Sequence, residues 1–121
     1  MKILVSAVSP DLDSPIDPRF GRAAYFIVID TNTRDWQAHP NPAAEASGGA
    51  GTQAAQYVAN YGLRVVVSGD FGPNACNALN AAGISMYLLG TSQKVRETVE
   101  DYRASQLAPV SAPTLTGRHR R

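Results

Sequence analysis

Cysteine occurs once in the 121 residues, at Cys76, and histidine only twice, at His39 and His119. An intramolecular disulfide is thereby excluded, and so is a conventional zinc site, which usually takes four Cys/His ligands. Charge is sparse too: Asp, Glu, Lys and Arg make up 17% of the chain, against about 25% in an average globular domain. With 44% hydrophobic residues, the chain is not mainly a disordered, charged binding segment. No apolar run approaches the ~18 residues of a membrane helix. The run after Met1 and Lys2 is too short for a secretory signal, and no small-residue cleavage site follows it. A soluble, cytoplasmic protein without a membrane partner is the expectation. The basic surplus is equally thin. Arg118, Arg120 and Arg121 supply three of the 11 basic residues, leaving 8 basic against 10 acidic in 1–117. Duplex nucleic acid demands a broad basic footprint, so no nucleic-acid partner is expected.

What is present reads as one α/β domain. Lys2–Val8 and Ala24–Asp30 are apolar, β-branched runs with the length of buried strands. Thr31-Asn32-Thr33 signals a turn, which makes Asp35–His39 a short returning strand. Thr52–Tyr61 carries Ala54, Val58 and Tyr61 at helical spacing and stops at Gly62. Arg64–Ser68 reads as a strand, Pro73–Ala82 as a helix with proline in its first turn, and Ile84–Leu89 as a last strand. A final helix opens at Gly90-Thr91-Ser92 with Val95, Val99 and Tyr102 on its buried stripe. Two prolines and a basic end make Ala108–Arg121 a disordered tail by expectation, with the domain spanning 1–107. The order implies a mixed sheet with parallel crossovers and an antiparallel hairpin edge.

Ligands of such sheets gather outside the carboxyl ends of the strands. Four loops qualify: Ser9–Ala23, Gly48–Thr52, Gly69–Asn74 and Gly90–Ser92. Loops feeding helix N-termini offer unpaired N–H groups and a partial positive charge, and glycine admits a ligand close to the backbone. Gly48-Gly49-Ala50-Gly51 has neither the lysine ending of a phosphate-binding Walker loop nor a dinucleotide fingerprint. It reads equally as plain helix-entry chemistry. In Asp17-Pro18-Arg19-Phe20-Gly21-Arg22, two arginines form a compact cationic surface suited to multi-oxygen or multi-sulfur anions. The plainer reading pairs them with Asp11, Asp13 or Asp17 at the surface. Cys76, early in its helix, reads first as a small buried hydrophobe and otherwise as a single soft metal ligand. His39 reads as an exposed loop residue or a second ligand. The spacing of Asp30, Asp70, Glu97 and Asp101 brings no carboxylates together for two-metal cleavage. No Ser-His-Asp or Cys-His arrangement stands out either, so no enzyme is expected.

Three motifs, in order, strongly resemble the dinitrogenase iron–molybdenum cofactor biosynthesis family: Ser14–Arg22, Gly48–Ala55 and Gly69–Ala75. The resemblance runs from Met1 to about Leu107. It implies a ribonuclease H-like fold, a five-stranded mixed sheet flanked by helices, without that fold's catalytic carboxylates. It further implies a non-enzymatic carrier for a molybdenum-containing sulfide cluster, with copper or iron as second metal. Matching positions are Arg19, Phe20, Gly21 and Arg22, then Gly48, Gly49 and Gly51, then Gly72, Pro73 and Asn74. Two positions depart from the family: Arg19 stands where histidine is frequent, and Asp70 where a small residue is. The cluster is then expected to be held non-covalently, by charge, N–H···S contacts and Phe20 packing. Donor or acceptor proteins are the implied partners, and a monomer suits that role. A module for phosphate-type or nucleotide anions would use the same loops, and a protein-docking regulator would use a sheet edge or the tail.

Overall fold

The computed structural model describes residues 1–90 and 93–114. Its elements are β1 (Lys2–Ala7), β2 (Tyr25–Asp30), β3 (Trp36–Pro40), α1 (Ala50–Asn60), β4 (Val65–Ser68), α2 (Pro73–Ala81), β5 (Ser85–Leu88), α3 (Val95–Arg103) and β6 (Ala108–Val110). They form one mixed sheet of order β3-β2-β1-β4-β5-β6. β1 pairs with β4, and β4 with β5, in parallel, while β2 runs antiparallel to both β1 and β3.

Apart from Ser6 and Ser68, the buried positions of β1, β2 and β4 are apolar, because both faces of the sheet are covered. On one face Leu4, Phe26, Val28, Val66 and Met86 pack with Ala54 and Val58 of α1 and Leu79 of α2. On the other, Ile3, Val5, Ile27, Ile29, Val65 and Val67 meet Val95 and Val99 of α3. Alternation along each strand assigns the face. Tyr61, expected on the buried stripe of the first helix, instead caps α1 at its carboxyl end and is exposed.

The sheet has six strands, not five. The sixth is Ala108–Val110, which lies in the stretch expected to be a disordered tail and pairs antiparallel with Met86–Leu88. The reason is the open edge of β5, whose backbone groups take up any extended segment that returns to them. Proline does not prevent this at an edge, where one side of the strand needs no partner, and Pro109 sits there. Beyond β6 the chain continues onto the loop after β4. Thr114 N–H donates to the Phe71 carbonyl at 2.8 Å, and Phe71 N–H donates to Thr114 Oγ1 at 2.7 Å. The rest of the expected tail, with His119 and its arginines, lies outside the described residues.

Candidate functional site: a glycine-lined cradle

β1, β3 and β4 end on one side of the molecule, and the loops that leave them meet there. The long loop after β1 is tightly anchored. Ser6 and Ser68, both fully buried at the ends of β1 and β4, hydrogen-bond each other at 2.8 Å. The Asp17 carbonyl accepts from Ser6 Oγ at 2.6 Å, and the Pro18 carbonyl from Ser68 Oγ at 3.3 Å. Asn41, also buried, donates its amide to the carbonyls of Gly21 and Ala23 at 3.0 and 2.9 Å. Ser14 and Leu12 use their carbonyls on the N–H groups of Val95 and Arg96. The entrance of α3 is therefore occupied by the loop itself, and Gly90 is not among the residues that line the cradle. Thr91 and Ser92 lie outside the described residues.

Glycine permits the closest approaches. A Cβ on Gly21 would stand 2.9 Å from Gly51 Cα, and one on Gly69 would stand 2.8 Å from Pro18 Cα. The loop after β1 thus rests directly on the backbone of α1 and of the β4–α2 turn. The resulting concavity, about 440 Å³, is lined by Arg19, Phe20, Gly21, Arg22, Gly49, Ala50, Gly51, Asp70, Gly72, Pro73, Asn74 and Ala75. Nine of the ten residues named as the cluster-binding set are in this lining. Gly48, the tenth, lies outside it.

Two helices enter the cradle uncapped. Gly49, with φ 70°, precedes α1, and Gly72 precedes α2; neither helix has a side-chain cap or an acidic residue in its first turn. First-turn N–H groups without intrahelical partners remain for a ligand, with the positive end of the helix dipole behind them. Pro73 at the start of α2 costs nothing there, since its position needs no donor.

The arginines are held by different partners. Arg19 donates Nε and a terminal nitrogen to the two carboxylate oxygens of Asp17, both at 3.2 Å, and its N–H binds the same carboxylate at 3.0 Å. The hydrogen bond and then the charge of Asp17 raise the Arg19 pKa above its usual value. The pairing read from the sequence is real, yet the Arg19 side chain is still 66% exposed and lines the cradle, whereas that of Asp17 is 5% exposed. Arg22 donates to the carbonyls of Ala44 and Ala46, pinning the loop before α1 to the rim.

Other residues fall elsewhere. Phe20 is 1% exposed, with its ring 5.5 Å from that of Phe26 and 5.6 Å from that of Phe71. It forms the floor, so its aromatic surface is committed to the core rather than free to pack on a ligand. Cys76 is fully buried, accepting from Asn80 and directed at the Ser111 carbonyl at 3.8 Å. His39 lies on β3, its Nε2 3.0 Å from the Tyr61 hydroxyl and its ring 5.0 Å from that tyrosine. Neither lines the cradle. Among the described residues, no three of His, Cys, Asp and Glu form a metal-holding group. Asp17 and Asn41 were missed as site-building residues, although Asp-Pro and Asn-Pro are turn signals. Asp70, weighed in the sequence as a cleavage carboxylate and as a departure from the family, lines the cradle.

A larger concavity, about 600 Å³, lies at the opposite end of the sheet among Thr31, Tyr87, Tyr102 and Arg103. It holds none of the three motifs and no helix N-terminus, so the cradle is the better candidate.

Comparison with known proteins agrees with the motifs. The chain is 38% identical to the apo orange protein of Desulfovibrio gigas, with TM-score 0.88 over 93% of this chain and 95% of that one. A Thermotoga protein assigned to NifB is 28% identical, with TM-score 0.79 over 96% and 98% of the two chains. An uncharacterized protein of Methanocaldococcus jannaschii is 24% identical over 96 residues, 76% of this chain and 81% of that one. The family model described as dinitrogenase iron-molybdenum cofactor matches residues 1–105. With the family model spanning most of the chain and the motifs meeting in one cradle, the protein belongs to the dinitrogenase iron–molybdenum cofactor family.

Proposed function

We propose that the protein is a non-enzymatic carrier for a molybdenum-containing metal–sulfide cluster, bound in the cradle without covalent ligands. One observation carries this reading: two uncapped helix N-termini and two arginines line one glycine-lined concavity. Such a surface suits a multi-sulfur anion. Backbone N–H groups and the exposed nitrogens of Arg19 hold the sulfurs, while Arg22 keeps the rim in place. With Cys76 in the core and His39 on β3, charge and N–H···S contacts supply the affinity. The cluster is cargo, with copper or iron as second metal, received from and passed to partner proteins by a monomer in the cytoplasm. Strand order 3-2-1-4-5 with β2 reversed supports a ribonuclease H-like assignment, to which β6 adds an edge.

Protein purified without oxygen is expected to contain molybdenum with copper or iron by elemental analysis, and to show sulfide-to-metal absorption. Metal-free, colourless protein that also takes up no tetrathiomolybdate with copper or iron would refute the reading and favour a phosphate-type anion module. Arg19→Ala combined with Arg22→Ala is expected to reduce cluster uptake sharply while the protein stays folded. Unchanged uptake by the folded double variant would remove the arginines from the site.

A further inference from the structure

Two carboxylates stand among the charges of the cradle. Asp70 lines it, and Asp17 sits beneath Arg19 with both oxygens bound to that arginine. Set against Arg19 and Arg22, they bring the formal charge of these four side chains to zero. Arg22 is further engaged by the carbonyls of Ala44 and Ala46. Asp70 has no cationic partner among the described residues; its Oδ1 accepts from the Thr114 hydroxyl, a neutral donor. A carboxylate in the lining offsets part of the positive field that the helix N-termini and the arginines supply.

We infer that Asp70, supported by Asp17, determines specificity in the cradle: it turns away compact, hard oxyanions such as phosphate and pyrophosphate and leaves the site to charge-diffuse sulfide anions. This rests on the proposed carrier function and names the ligands it excludes. A phosphate group concentrates about −1.5 to −2 charges on a few strongly hydrated oxygens. Stripping that hydration is costly unless fixed positive charge replaces it. Here Asp70 lines the same concavity as the helix N-termini, and Asp17 already holds two of the Arg19 nitrogens and offsets its charge. A sulfide cluster spreads its charge over larger, weakly hydrated atoms. Its desolvation is less costly. The same uncapped N–H groups then suffice.

The test is the ratio of affinities for pyrophosphate and tetrathiomolybdate, measured by calorimetry on wild type, Asp70→Asn and Thr114→Val. Asparagine keeps an acceptor for the Thr114 hydroxyl and removes only the charge. Asp70→Asn is expected to shift the ratio about tenfold toward pyrophosphate, the effect of one like charge removed at close range. Thr114→Val, which keeps the charge and loses the hydrogen bond, is expected to retain the wild-type ratio. An unchanged ratio in folded Asp70→Asn overturns the inference, as does an equal shift in Thr114→Val, which would make loop geometry the cause. If wild type takes up no thiomolybdate while Asp70→Asn gains pyrophosphate binding, the carrier function fails and the exclusion by Asp70 stands.

Discussion

An alanine at Gly21 would place its Cβ 2.9 Å from both Gly51 Cα and Gly51 N. Neither is the end of a flexible side chain, so the loop and α1 must separate. Gly21→Ala is expected to destabilise the protein by about 1–3 kcal/mol, as overpacking does, and to open the cradle. Gly48→Ala is the control, since a Cβ there meets nothing within 4 Å; it is expected to change stability by no more than ~0.5 kcal/mol. Urea denaturation with tetrathiomolybdate uptake compares the two, and equal effects would mean that the close approach of Gly21 to α1 does not matter. The glycines were legible in the sequence as a set, but their unequal weight was not. Which glycine bears on a neighbour depends on a partner, here 30 residues away, that no local pattern names. The same holds for Ser6 and Ser68, which read only as strand residues until adjacent strands bring their hydroxyls to 2.8 Å.

Among the elements, β6 is the one the sequence concealed. Two prolines in a short segment argue against a strand, and that argument holds only where both edges must pair. Ending the chain after Leu107 removes β6 and the Thr114 ties to Phe71, and uncovers the β5 edge. Ending it after Thr114 keeps both. The shorter chain is expected to melt several degrees lower than the longer one; equal melting temperatures for the two would show that β6 adds nothing. The helices were legible because their periodicity and stop signals are local. Ala50 and Gly51 join α1 ahead of the expected start at Thr52, because an αL glycine at position 49 begins the helix without a side-chain cap. That missing cap is also what leaves N–H groups for a ligand.

Across the molecule, several surface carboxylates titrate below their usual range. Hydrogen bonding to Arg96 lowers Asp13, the backbone N–H groups of Asn32 and Thr33 lower Asp30, and hydrogen bonding to Arg34 lowers Glu100. A depressed folded-state pKa means stability present above the unfolded-state value and lost as pH falls through the folded one. Stability is therefore expected to fall on acidification below the ordinary carboxylate range. Asp30→Asn should make that fall shallower in denaturation curves taken from neutral to acidic pH. An unchanged acid slope would show that the turn at Asp30 is not linked to folding.

The sequence by itself determined the order of elements through β5 and α3, the doubly covered sheet and three anion-suited motifs, because periodicity, turn residues and glycine spacing act over a few residues. Tertiary structure alone decided that Asp17, rather than Asp11 or Asp13, holds Arg19 and is buried, that Phe20 belongs to the core, that a sixth strand returns to the edge, and that Asp70 lines the cradle. Each of these depends on which distant backbone or side chain comes into contact. Such contacts arise only when the strand ends are brought together and buried polar groups must find partners.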